Sequence, residues 1–231
     1  MAALPSEVAS ARAGSYRVSR SLRSVLPSWR KTPFTCVYLA LLGVCVAILG
    51  LLSPASQAAV LQGSSTDVDN LFRHPIWALV SSALWVDGLV DYLVAAVVLG
   101  IVATALERRI GTRWVIGVFA TGHVVATLLT EGAIAIGVHA GMLPSASLSR
   151  LDVGISYGMA ATLAAAAGLL GRRRLLGVVL AWAYLGWPLV ASRDMTAWGH
   201  VVALAVGVAW WPLLRQRVAQ PSTQPATQPA T

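Results

Sequence analysis

The chain has 231 residues, of which 57% are hydrophobic and only 11% charged, and its mean hydropathy is +0.71. A soluble domain of this length carries about a quarter charged residues, so this balance excludes an ordinary water-soluble enzyme and indicates a chain surrounded mostly by lipid. The net charge of +8 comes from arginine, because Lys31 is the only lysine. These cations lie between apolar runs rather than along one stripe, so we expect them to set membrane topology and expect no nucleic-acid partner.

Both ends of the chain are polar. Residues 1–33 are basic and have no apolar period, which predicts a disordered cytoplasmic arm. Residues 215–231 are rich in Gln, Pro and Thr and end in Gln-Pro-x-Thr repeats, which predicts a disordered cytoplasmic tail. The membrane domain is therefore expected between residues 34 and 214.

Six apolar runs in this domain are predicted to be transmembrane helices. The first, 34–52, is long enough to cross a ~30 Å hydrocarbon core and too long for a cleavable signal peptide. The predicted spans are 34–52, 89–106, 114–138, 151–170, 175–190 and 196–214. Between the first two lies a loop, 53–88, in which Trp77 and Trp85 alternate with polar residues, a pattern typical of the membrane interface.

The distribution of basic residues supports six spans with both termini in the cytoplasm. With an inside N-terminus, fourteen of the 17 cations fall on the inner side, and only Arg73, Arg150 and Arg193 fall outside. One helix more or fewer would remove this concentration of basic residues on the inner side of the membrane. The predicted fold class is therefore an all-α integral membrane protein, a six-helix bundle that crosses the cell (cytoplasmic) membrane.

A serine and a histidine inside the spans are candidates for chemistry. Ser156 lies about five residues below the outer start of the fourth span, roughly 7 Å down, and His200 lies at a similar depth in the sixth. Small residues line both helices and would let the backbones approach closely enough for a Ser–His hydrogen bond. Equally, a serine is ordinary packing material, and a lone histidine can simply bond a carbonyl. Asp152 is expected to cap the fourth helix or to orient His200.

Four more ionisable residues lie at or within the predicted spans. Asp87 and Asp91 are four residues apart at the outer boundary and form either a solvated rim or a pair sharing a proton; Asp91 could also contact His200. Glu131 lies close to the Ser/His layer, and its burial would require a proton or a partner. His123 lies near the midplane and is expected to be a hydrogen-bonded interhelical residue.

Metal and cofactor signals are weak. Cys36 and Cys45 are nine residues apart in one apolar run, roughly 13 Å along a helix, which is too far for a disulfide. A metal site built from His123, Glu131 and His200 is conceivable, but their depths differ and no spaced motif supports it. We therefore expect neither a cofactor nor a metal.

Three motifs resemble those of the rhomboid family of intramembrane serine proteases. Residues 154–158 read Gly-Ile-Ser-Tyr-Gly, close to the Gly-x-Ser-Gly of that family's fourth span. Residues 199–207 begin Gly-His and end in Gly, close to the His-x-x-Gly-x-x-x-Gly of its sixth span. Residues 105–111 are similar to its Leu-Glu-Arg-x-x-Gly turn. The resemblance covers about residues 34–214 and is nearest to a divergent bacterial, actinobacterial-type group.

The resemblance implies hydrolysis of a peptide bond in or near the transmembrane helix of a substrate. Ser156 would be the nucleophile and His200 the general base, in a dyad without a third acid. Gly154, Tyr157 and Asp152 would surround the oxyanion or the dyad, and water would reach Ser156 from the outer side. The implied partners are membrane lipids and transmembrane segments of other proteins.

Two features depart from the family pattern. Tyr157 stands where a glycine usually follows the serine. Counting back from Glu107 puts Asp91 and Ala95 where the family carries the His and Asn that stabilise the oxyanion. An ionised Asp91 would repel the negative charge of the oxyanion, and the side chain of Ala95 has no hydrogen-bond donor. The stabilisation of the oxyanion, ~3–4 kcal/mol per donor, must therefore come from elsewhere, such as the backbone N–H of Ser156.

Three functions follow from the sequence. The first is an active intramembrane serine endopeptidase, and the second is a catalytically inactive relative that binds transmembrane clients. A proton-coupled transporter that uses Asp91 or Glu131 is a distant third.

Overall fold

The computed structural model describes residues 26–86, 88–185 and 194–219, and these residues form helices joined by short connections. The helices are α1 Pro33–Leu51, α2 Pro54–Ser64, α3 Val68–Arg73, α4 Pro75–Ser82, α5 Gly88–Ile110, α6 Thr112–His139, α7 Ser156–Ala167, α8 Arg174–Leu185, α9 Met195–Ala209 and α10 Trp211–Ala219. Most of the predicted arm, Asp87, the predicted end of the fifth span with Arg193, and the tail from residue 220 lie outside the described residues.

Four helical stretches are long and apolar enough to cross a membrane. They are Pro33–Leu51, Gly88–Ile110, Thr112–His139 and Met195–Ala219, and they contain the first, second, third and sixth predicted spans. By contrast, α7 and α8 have 12 residues each, about 18 Å, which is shorter than the hydrocarbon core. The all-α class is thus confirmed for the described residues, while the count of six spans stays a prediction.

The loop predicted at the interface forms three short helices. α2, α3 and α4 have 11, 6 and 8 residues, none of them long enough to span a bilayer. Ser53 and Asp67 cap the first two of these helices with their side-chain oxygens. The segment therefore folds against the bundle as a compact helical connection between α1 and α5.

Glu107 joins the starts of α1 and α6 to the end of α5. Its carboxylate accepts hydrogen bonds from the backbone N–H groups of Phe34 and Thr35 at 2.9 and 3.0 Å and from the Thr35 hydroxyl at 2.7 Å. The Thr112 hydroxyl donates to it at 2.8 Å. Because the first N–H groups of a helix lack intrahelical partners, a carboxylate is well suited to this position. Glu107, inside the Leu-Glu-Arg-like turn, thus closes one end of the bundle.

Helix α7 lies at the centre of the molecule. It packs against α5, α6, α8 and α9, and nine of its 12 residues are buried. Ala161, fully buried on α7, lies between Gly122 of α6 and Gly207 of α9. A Cβ on Gly122 would overlap the Ala161 side chain, and a Cβ on Gly207 would overlap the Ala161 carbonyl oxygen. The two glycines therefore allow three backbones to approach closely, as expected for helices that pack through small residues in lipid.

Helix α7 begins five residues later than predicted. The sequence predicted a helix from Leu151, whereas residues 151–155 form an irregular segment and Ser156 is the first helical residue. Gly154 has φ +138°, a conformation that other residues rarely adopt. Its N–H donates to the Ser82 carbonyl at 2.9 Å, and Thr66 N–H donates to the Asp152 carbonyl at 2.8 Å. These bonds to the α2–α4 connection hold the segment outside the helix.

Helix–helix approach at Gly207 can be tested by adding a methyl group. Gly207→Ala is expected to lower the free energy of unfolding by about 2 kcal/mol, because the new Cβ meets backbone that cannot move aside cheaply. Gly132→Ala is the matched control: it lies in helix α6 with open space around its Cα, and the change should be neutral or stabilising by about 0.5–1 kcal/mol. Unfolding in detergent micelles would measure both. Equal effects of the two variants would contradict the close approach.

Candidate active site

Ser156 lies at the N-terminus of α7 and is half-buried. Ile155 occupies the capping position, and no side chain caps the first turn. The prediction that Asp152 caps this helix is therefore wrong, because the helix begins four residues beyond Asp152. Ser156 thus follows a segment held to the α2–α4 connection, and the N–H groups of its helical turn receive no side-chain acceptor.

His200 lies on α9, the helix that packs most extensively against α7. Both of its ring nitrogens are buried, and neither has a hydrogen-bond partner among the described residues. The Leu185 carbonyl lies nearby but makes no hydrogen bond of good geometry with the ring. The helices that carry Ser156 and His200 are therefore direct neighbours, but no Ser156–His200 hydrogen bond is present.

His123 has a different environment. Its Nε2 lies 3.0 Å from the Leu79 carbonyl oxygen and 3.3 Å from Ser82 Oγ, so it joins α6 to α4. Nδ1 has no partner within the described part of the chain. This is the interhelical, hydrogen-bonded role expected for His123, and it shows what a packing histidine looks like in this fold.

Tyr157 is the α7 residue that contacts His200. Its ring centroid lies 5.4 Å from that of His200, in an edge-on arrangement at 74°. The same ring covers Gly199, where an added Cβ would overlap it, and Tyr157 is 3% exposed. Its buried hydroxyl lies near Thr130 but makes no hydrogen bond of good geometry among the residues described. The tyrosine that stands where the resembled motif has a glycine therefore fills the space beside the histidine.

A buried ionic network lies beside this pair. Arg150 NH2 donates to Glu131 Oε1 at 2.9 Å and lies 3.7 Å from Asp152 Oδ2. Its NH1 donates to Thr196 Oγ1 at 3.1 Å. Glu131 is 2% exposed, so the arginine is the partner that its burial requires. The network connects α6, the start of α9 and the segment that precedes Ser156.

Arg150 and Thr196 were not among the residues singled out from the sequence. A usable signal existed for Arg150: it is one of three cations on the predicted outer side and stands two residues before Asp152. Because a buried carboxylate needs a partner, an outer arginine near a lipid-embedded Glu131 is the natural candidate. No comparable signal marks Thr196, whose contact depends on where α9 begins.

The structure does not bring Asp91 into the site. Asp91 is exposed on α5 and makes no hydrogen bond or ion pair with His200, while Ala95 is buried. The possibility that Asp91 contacts His200 is therefore wrong, and neither residue offers a hydrogen-bond donor for an oxyanion. Within residues 26–86, 88–185 and 194–219, no group of three or more His, Cys, Asp or Glu side chains could hold a metal ion.

A family model described as rhomboid-like protein matches residues 28–220, which include every residue of the candidate site. The chain belongs to the rhomboid-like protein family. No curated protein and no solved structure matches it significantly. With its four candidate spans, this rhomboid-like protein is a multi-pass membrane protein. The matched region includes the three motifs at residues 105–111, 154–158 and 199–207.

The buried network of this rhomboid-like protein can be tested at Arg150. Arg150→Gln is expected to lower the free energy of unfolding by about 2 kcal/mol, because it leaves Glu131 buried without its partner; the arginine is about a third exposed, which puts the loss below that of a fully buried pair. Thermal unfolding in micelles would measure the loss. Arg73→Gln, an exposed arginine on α3, should change stability by less than about 0.5 kcal/mol.

A double variant separates lost charge pairing from lost packing. Glu131→Gln combined with Arg150→Gln removes the buried carboxylate as well, so it should recover part of the stability lost in Arg150→Gln. If Arg150→Gln and Arg73→Gln behave alike, the ion pair does not stabilise the fold.

Proposed function

We propose that this rhomboid-like protein is an intramembrane serine endopeptidase that hydrolyses peptide bonds in or near transmembrane segments of other membrane proteins. Ser156 is the nucleophile and His200 the general base. The observation that carries the proposal is that both ring nitrogens of His200 are buried without a hydrogen bond of good geometry among the described residues, on a helix packed against the one that begins at Ser156. Leaving a buried polar atom unpaired costs about 1–3 kcal/mol. Such exceptions call for an explanation, and catalysis is one.

The chemistry assigned to the pair is acyl transfer through Ser156. The Ser156 oxygen attacks the peptide carbonyl while a His200 nitrogen takes the hydroxyl proton; His200 then gives this proton to the departing amine. The acyl group, bound to Ser156 as an ester, is released by a water that His200 deprotonates.

The first turn of α7 can supply the oxyanion site. Its N–H groups receive no side-chain cap, and they lie at the positive end of the helix dipole. Backbone N–H groups that point at a developing negative charge are among the strongest contributions to acyl-transfer catalysis. We assign these N–H groups the stabilisation of the oxyanion, which His and Asn side chains provide in the resembled proteases. Asp91 and Ala95 stand at those two positions here and cannot provide it.

A specific observation favours a second function, an inactive relative that binds transmembrane clients. The buried Tyr157 ring packs on the His200 ring, and no Ser156–His200 hydrogen bond is present among the described residues. No observation favours the transporter, because Glu131 is paired with Arg150 and Asp91 is exposed.

We also propose that the chain crosses the cell membrane six times, with the arm 1–33 and the tail 215–231 in the cytoplasm. Helices α7 and α8 would be the fourth and fifth spans. The partition of basic residues supports this topology, since both turns at Arg108–Arg113 and Arg172–Arg174 would face the cytoplasm.

Topology can be tested with an impermeant thiol reagent on intact cells. In a background with Cys36→Ser and Cys45→Ser, Ser145→Cys should be labelled because its loop faces outward, whereas Arg172→Cys should be labelled only after the membrane is opened. Both sites are exposed in the structure. Labelling of both positions in intact cells, or of Arg172→Cys alone, would contradict the six-span topology.

Catalysis can be tested by labelling membranes with a fluorophosphonate probe. The wild-type chain should be labelled, Ser156→Ala should not, and His200→Ala should be labelled about 100-fold more slowly because the base is lost. Ser145→Ala, an exposed serine outside the site, should be labelled like the wild type. If the wild type remains unlabelled while transmembrane clients co-purify with wild type and Ser156→Ala equally, the inactive relative is the correct function.

A further inference from the structure

A groove separates α5 from α8 at the end of the bundle that carries the arginine turns. Both helices pack on α7, yet they make hardly any contact with each other. The gap between them has a volume of about 290 Å³. Its lining is apolar except for Arg109 at the end of α5. This groove lies outside the candidate active site and has no role in the chemistry assigned to Ser156.

Small side chains produce the groove. Ala105 of α5, Ala166 and Ala167 of α7 and Gly177 of α8 line it, and none of them reaches across the gap. Larger side chains, including Ile101 and Leu170, which are about half exposed, form its edges. An open apolar surface of this kind on a membrane protein faces lipid chains rather than water.

Arg109 gives the groove a charged end. The side chain is exposed, and its NH1 donates to the Leu169 carbonyl at 3.4 Å, which ties the guanidinium to the end of α7. A guanidinium has five N–H donors in a planar fork that matches a phosphate, so donors remain after this bond. Two further exposed cations, Arg172 and Arg173, lie in the turn between α7 and α8. The charge at this end therefore favours an anion.

We propose that the groove binds an anionic phospholipid, with one acyl chain between α5 and α8 and the headgroup phosphate on Arg109. The lining of the groove favours a lipid over a client helix, because one exposed guanidinium stands at the end of an otherwise apolar, lipid-facing surface and matches a phosphate headgroup joined to an acyl chain. An acyl chain in this position fills the gap that α5 and α8 leave open on the surface of α7. The site goes beyond the proposed protease function and would exist equally in an inactive relative.

Native mass spectrometry of the full chain, titrated in detergent with phosphatidylglycerol or with phosphatidylcholine of the same chain length, tests the headgroup contact. The wild type should retain phosphatidylglycerol about tenfold better than phosphatidylcholine. Arg109→Gln should abolish this preference. Arg113→Gln should keep it, because Arg113 lies over the Trp114 ring and does not line the groove. Retention of both lipids to the same extent by the wild type, or equal losses in the two arginine variants, would overturn the proposal.

A second pair of variants tests the acyl-chain contact. Ala105→Phe fills the groove from the exposed side of α5 and should lower retention of phosphatidylglycerol about tenfold, while Ala120→Phe, on the exposed side of α6, should not. Circular dichroism of each variant checks that the helices remain. Unchanged retention in Ala105→Phe, or a transmembrane peptide that co-purifies in the groove in place of lipid, would overturn the proposal.

Discussion

The contact of Ala161 with Gly122 and Gly207 is the constraint on which the rest of the structure depends. Lipid tails are as apolar as leucine, so burial in a bilayer gives helices little reason to associate, and close van der Waals contact has to hold them. Because neither glycine carries a Cβ, α6 and α9 both approach the backbone of α7. This approach makes the helices that carry the serine and the histidine neighbours, and it places the Tyr157 ring on Gly199.

Carboxylates hold α6 at two points and in two different ways. Near its start, Glu107 accepts four hydrogen bonds from neutral donors on α1 and α6 and needs no cation. About 28 Å farther along, Glu131 depends on Arg150, which comes from an irregular segment and also reaches Thr196 of α9. The first arrangement suits a turn between consecutive helices. The second connects segments distant in sequence, and it lies beside the residues to which chemistry is assigned.

The two histidines differ in the hydrogen bonds that their surroundings provide. Nε2 of His123 lies within hydrogen-bond distance of a carbonyl and a hydroxyl of α4, so one of its two ring nitrogens is satisfied. His200 has no such partner among the described residues, and its nearest ring is that of Tyr157. A protease and an inactive relative differ in the part played by this tyrosine. In the proposed protease the Tyr157 ring would limit the orientation of the imidazole, and in the proposed inactive relative it would occupy space that a serine–histidine contact requires.

The sequence by itself determined the helical class and the positions of the long apolar helices, because these depend on local hydrophobicity. It also determined which helices carry small faces and which residues resemble a serine–histidine pair. Only the tertiary structure decided that α7 begins at Ser156, because the bonds that hold residues 151–155 out of the helix come from Thr66 and Ser82, about 70 to 90 positions earlier in the chain. The tertiary structure also decided three contacts or exposures: the partner of Glu131, the exposure of Asp91 and the contact of Tyr157 with His200. Each of them depends on how the helices rotate against one another, and periodicity within a single helix does not specify that rotation.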